Sequence, residues 1–191
     1  MTSAQSTVSV EQVPVDVVLP LRSAVLRSGG PAAMPGDDDP ATVHLAARTA
    51  DGRVAGVVRL NPAPCPWRPD ARAPWQLRGM ATDPAVRGSG AGRVLLGSSL
   101  ALVAERGGDL LWCDARVTAA GFYERMGLTV VTGEYDKPGI GPHVGMLKDL
   151  VPLTPRRRTP SSPPLASSGR DPGRGRSLRT RPETPGATRS S

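Results

Sequence analysis

The chain has 191 residues, enough for one domain with a remainder. Its formal net charge of +7 is matched by the segment from Pro152 onward, where nine arginines face only Asp171 and Glu183, so the residues before Pro152 are neutral as a group. This distribution argues against a basic nucleic-acid-binding body, and no apolar run is long enough to span a bilayer.

The N-terminus is polar and carries no secretory signal, and Cys65 and Cys113 lie far apart, outside any CxxC or metal-ligand cluster. A reducing, cytoplasmic setting without a metal is expected. Residues 8–13 read as a first strand and 17–27 as an amphipathic helix with Pro20 in its first turns. Residues 28–40 form a loop by their Gly and Pro breakers. Its Asp37, Asp38 and Asp39 read as a solvated run, or as a lure for a cationic amine. Residues 42–48 and 54–60 flank Asp51-Gly52, a hairpin signature. A proline-rich loop over 62–74 precedes a strand that starts at Trp75.

That strand leads into the most informative stretch. Gly88, Gly90 and Gly92 alternate with Ser89 and Ala91, between Arg87 and Arg93, and a helix follows. Bare backbone there can direct several N–H groups at one anion, and the two arginines add charge of the right sign. The helix stops at Gly107-Gly108. Residues 110–113 read as a buried strand. Ala119, Phe122, Tyr123 and Met126 then share one face of a short helix ending at Gly127. Two strands close the domain, 128–135 and 143–149, joined by Pro138-Gly-Ile-Gly-Pro142. The mixed order implies an α/β or α+β sheet covered by helices, without internal repeats. Residues 1–151 form the domain. Residues 152–191, rich in Pro, Ser, Gly and Arg and lacking aromatics, read as a disordered basic tail without a specific nucleic-acid partner.

A dinucleotide fold would also place glycines between a strand and a helix, with Asp114 as a ribose ligand. Arg93 at the third glycine position and the four residues Asp83-Pro-Ala-Val86 between strand and loop oppose it. The segment Arg87-Gly-Ser-Gly-Ala-Gly92 resembles instead the Arg/Gln-x-x-Gly-x-Gly/Ala signature of the GNAT acetyltransferase superfamily. A second landmark follows about thirty residues later, where Ala119-Ala-Gly-Phe-Tyr-Glu-Arg-Met-Gly-Leu128 is similar to the family's Ala-x-x-x-Tyr-Glu-x-x-Gly-Phe. The resemblance covers roughly residues 8–150.

The resemblance implies a mixed, mostly antiparallel sheet with a splay between strands 4 and 5, and acetyl-CoA as co-substrate. Arg87, Gly88, Ser89, Gly90, Ala91, Gly92 and Arg93 then hold its pyrophosphate. Met80, Ala81 and Thr82 pair with the pantetheine arm and polarise the thioester carbonyl. Tyr123 matches the family tyrosine that protonates the departing thiolate, the alternative being a core tyrosine. Arg116 stands where many relatives have an asparagine that contacts the cofactor. An amine attacks the acetyl group directly, so Cys113 reads as a small buried hydrophobe.

For the base, His143 competes with Asp114, His44 and a water chain. Arg27, Trp75, Gln76 and Arg78 border the acceptor pocket in such a fold, although Arg78 is equally well an outward strand residue. The expected activity is acetyl-CoA-dependent N-acetylation of a small-molecule amine. Peptide N-acetylation and a non-catalytic acyl-CoA-binding module are the alternatives. Monomer and homodimer are both compatible with the sequence.

Overall fold

The computed structural model describes residues 8–151; the expected tail over 152–191 lies outside them. The chain forms β1 (Ser9–Val13), α1 (Val15–Leu26), β2 (Val43–Arg48), β3 (Val54–Pro62), β4 (Pro74–Thr82), α2 (Ala91–Glu105), β5 (Leu110–Arg116) and α3 (Val117–Arg125). The strands β6 (Thr129–Val130), β7 (Tyr135–Lys137) and β8 (Gly141–Asp149) complete it. A single sheet runs β1-β2-β3-β4-β5-β8-β6, with β7 also paired to β8. Every pairing is antiparallel except β4 with β5.

Strand alternation sends successive side chains to opposite faces. Ala46 and Val57 meet α1 through Val18, whereas Leu45, Ala47 and Val58 join Leu95, Leu96 and Val103 of α2 in the larger core. The apolar stripe of α1 contains a charged residue. Arg22, one turn after Val18, is only 1% exposed.

Two expectations need correction. The helix expected over 17–27 begins two residues earlier, at Val15, with Pro14 at its N-cap and Arg27 at its C-cap. Residues 128–135 do not form one strand. β6 stops at Val130, beyond which the Val131 N–H bonds to the Gly145 carbonyl of β8 and the Gly145 N–H to the Thr132 hydroxyl, and β7 starts afresh at Tyr135. Among the described residues no helix is long and apolar enough to cross a membrane.

Two irregularities in β4 create the working cleft. Pairing with β5 is confined to Pro74–Leu110, Trp75–Leu111 and Gln76–Trp112, so from Leu77 to Thr82 the β4 edge has no β5 partner while β5 continues against β8. On the other side, β3 aligns Val57 with Ala81 and Arg59 with Arg78, so Gly79 and Met80 together oppose Val58. This bulge re-aims the strand at the point where it leaves β5. Gly79 supports it with φ +56°, a conformation that disfavours a side chain, and a Cβ there would stand 2.9 Å from the Met34 methyl.

Candidate active site

The gap between β4 and β5 opens into a cleft of two adjoining lobes that share Met80, Ala81, Thr82, Arg87, Ala119 and Tyr123 as walls. On the α2 and α3 side the cleft runs along Gly88, Gly90, Ala91, Gly92 and Arg93. On the α1 side it forms a cavity of about 380 Å³ walled by Arg27, Arg78, Asp114, Arg116 and His143 among others.

The glycine loop is built for close approach. After a single 3₁₀ turn at Pro84–Val86, Gly88 and Gly90 both take φ +85°, and nothing stands within 4 Å of where a Cβ would sit on either. These glycines therefore answer a backbone requirement and leave open space above the chain. The Ser89 hydroxyl accepts the Ala91 N–H at 3.3 Å, and Ser89 itself does not line the cleft. The N–H groups of Gly88, Gly90, Gly92 and Arg93 make no hydrogen bond among the described residues. Unpaired N–H groups at the start of α2, flanked by exposed Arg87 and Arg93, suit a diphosphate. The open edge from Leu77 to Thr82 suits an extended amide-bearing arm, so this site fits coenzyme A in both charge and shape.

Tyr123, on the apolar face of α3, is 7% exposed and directs its hydroxyl to the Met80 sulfur at 3.7 Å. Burial, with the nearby Cys113 adding to it, pushes this hydroxyl far above the ordinary tyrosine range. Burial thus favours its neutral form. Cys113 is likewise buried, and burial followed by the neighbouring Asp114 pushes its thiol up to about 12. A thiol held in that form is a poor nucleophile.

The three side-chain candidates for a base are separated by their contacts. Asp114 accepts from the Tyr135 hydroxyl and pairs with Lys137 Nζ at 2.6 Å, so both its oxygens are engaged. His44 is buried behind the cavity, where Nδ1 accepts from Arg22 Nη2 at 3.2 Å and Nε2 donates to the Asp37 carbonyl at 2.9 Å. His143 lines the cavity. Its Nδ1 donates to the Gly141 carbonyl at 2.7 Å, because a carbonyl can only accept, which in the neutral ring leaves Nε2 with a free lone pair.

The predicted acceptor residues divide. Arg27 and Arg78 line the cavity. Trp75 does not: it is 6% exposed at the closed end of β4, under the Arg106 guanidinium at 5.8 Å. Gln76 is beside it, still within the β4–β5 pairing and away from the cavity lining. Asp37 is no solvated residue. Its carboxylate accepts from Arg22 Nη1 at 3.0 Å, Arg59 Nη1 at 3.3 Å and the Met34 N–H at 2.8 Å, while Asp38 and Asp39 are exposed. Burial works against its charge, but the Met34 N–H and the two arginines outweigh burial and hold its carboxyl below the usual range. Sequence reading missed Arg22, Arg59, Tyr135 and Lys137. For Arg22 a signal existed, since it falls on the apolar face with Val18, Leu21 and Val25.

Residues 25–128 match the model of the acetyltransferase (GNAT) family, more than half of the chain, and the protein belongs to that family. It is 35% identical over 100 residues to the uncharacterised N-acetyltransferase YitI of Bacillus subtilis, a match spanning 52% of this chain and 66% of the relative, just under two thirds of its length. A Lactobacillus plantarum protein described as an N-acetyltransferase is 25% identical, with TM-score 0.62, covering 75% of this chain and 99% of its own. Escherichia coli ElaA shares the fold at 20% identity and TM-score 0.57, over 74% of this chain and 99% of its own.

Proposed function

We propose that the protein is an acetyl-CoA-dependent N-acetyltransferase whose acceptor is the primary amine of a small molecule. One observation carries the reading: the unpaired β4 edge, the Tyr123 hydroxyl beside Met80 and the glycine loop border one cleft. Acetyl-CoA supplies an activated acetyl group.

The loop N–H groups, with Arg87 and Arg93, hold the diphosphate, and the freed edge from Met80 to Thr82 aligns the arm and polarises the thioester carbonyl. His143 takes a proton from the amine as the C–N bond forms, through Nε2. Tyr123 gives its proton to the sulfur as the C–S bond breaks. Burial disfavours the Tyr123 phenolate, so the cycle closes when a proton returns to Tyr123 through cleft water as the His143 imidazolium gives up the one it took from the amine. Cys113 takes no part.

Release of free thiol from acetyl-CoA, measured across a panel of primary amines, tests the reading. Acceptor-dependent release is expected. Tight acetyl-CoA binding with no release for any acceptor would leave only an acyl-CoA-binding module.

A further inference from the structure

The α1 side of the cleft carries more positive charge than its surroundings neutralise. Asp37 is the single carboxylate between two buried arginines, Arg22 at 1% and Arg59 at 4% exposure, which leaves that cluster one charge in surplus. Arg78 faces the adjoining cavity and stands close enough that its like charge, added to burial, lowers both guanidinium groups from their usual range. The Arg22 Nε–H has no partner among the described residues, and it lies 3.0 Å from where a Cβ on the cavity-wall residue Gly79 would stand. Arg27 and Arg116 line the same cavity, and neither they nor Arg78 pair with a carboxylate among the described residues. The one acidic lining residue, Asp114, is neutralised by Lys137.

Guanidinium groups gathered around a half-enclosed space repel one another and any acceptor whose only charge is positive. A compact anion reverses both effects, and a carboxylate matches the planar fork of an arginine. Arg78 is on β4 and Arg27 caps α1, whereas His143 is on β8 beyond β5, opposite Arg116, so Arg78 and Arg27 stand across the splay from the imidazole while Arg116 stands beside it. We propose that the acceptor is an amine of amino-acid size that bears a carboxylate, with Arg78 and Arg27 binding the carboxylate while the amine meets His143. This rests on the acetyl-transfer reading above, and it makes Arg78 a determinant of specificity.

The test compares matched acceptors at saturating acetyl-CoA: amino acids, their carboxamides, their decarboxylated amines and their phosphonate analogues. The carboxylates should exceed the other three in kcat/KM by about tenfold or more. In Arg78→Gln this preference should vanish through a raised KM for the acids, with KM for acetyl-CoA and for the decarboxylated amines unchanged. Equal use of amides or amines, a preference for phosphonates, or a uniform loss in Arg78→Gln would overturn the proposal while leaving acetyl transfer intact. If no acceptor releases thiol, transfer fails, and deamino acids are titrated into the coenzyme A-loaded protein by calorimetry. Binding lost in Arg78→Gln then still supports the carboxylate site, and no binding in either protein overturns it.

Discussion

The Tyr123 hydroxyl of α3 reaches the Met80 sulfur of β4 at 3.7 Å, so the helix that follows β5 contacts β4 at the splay. Because α3 begins where β5 ends, the position of this hydroxyl is fixed by the strand on one side of the gap and read out on the other. Replacing Tyr123 by Phe keeps the ring packing against Phe122 at 5.2 Å and removes only the donor. The variant should keep its thermal stability and its KM for acetyl-CoA, while kcat falls by about 10²-fold or more. Unchanged turnover would assign Tyr123 to the core alone.

Asp37 holds two buried arginines and the loop that walls the cavity. Asp37→Asn leaves both cations uncompensated and should cost about 3–5 kcal/mol at neutral pH. The native carboxyl is depressed, so its contribution is complete above the ordinary aspartate range, about pH 4, and is lost as pH falls through the lower folded value. Urea denaturation should therefore show a wide gap between wild type and variant at neutral pH that narrows in acid. A gap that does not depend on pH would contradict the pairing.

Gly90 starts α2 with φ +85° and open space around it. Gly90→Ala should introduce backbone strain of about 1–2 kcal/mol without a steric clash. The expected result is a raised KM for acetyl-CoA, with kcat at saturation nearly preserved and only a small fall in melting temperature. A large fall in melting temperature with normal KM would make the glycine purely structural.

Removing residues 152–191 takes away the arginine surplus. Every residue placed in the site above precedes them, so the acetyl-CoA dissociation constant of the truncated protein should match that of the full chain. A marked loss in titration calorimetry would mean that tail arginines reach the diphosphate.

Local signals carried much of this architecture. The alternating glycines of residues 88–92, the Asp51-Gly52 hairpin and the α3 stripe each announce their element through spacing alone, and the two landmark segments order them into a family fold. What stayed hidden depended on contacts distant in sequence. Asp37 reads as solvated until Arg22 and Arg59 arrive from another helix and strand, and His44 is withdrawn from the cavity by the same cluster. Trp75 belongs to the right strand but lies before the splay, and the point where β4 leaves β5 is set by pairing that no short segment encodes.

Backbone amide hydrogen exchange with and without acetyl-CoA probes the β4 edge directly, whatever the acceptor. Added protection should concentrate at the β4 amides that face the splay, Thr82 among them, and at Gly88 to Arg93, with Ala81, already paired to β3, and β1, β2 and β6 unaffected. Acetyl-CoA binding that leaves the amides of β4 and the glycine loop unprotected would contradict a cofactor seated in the splay.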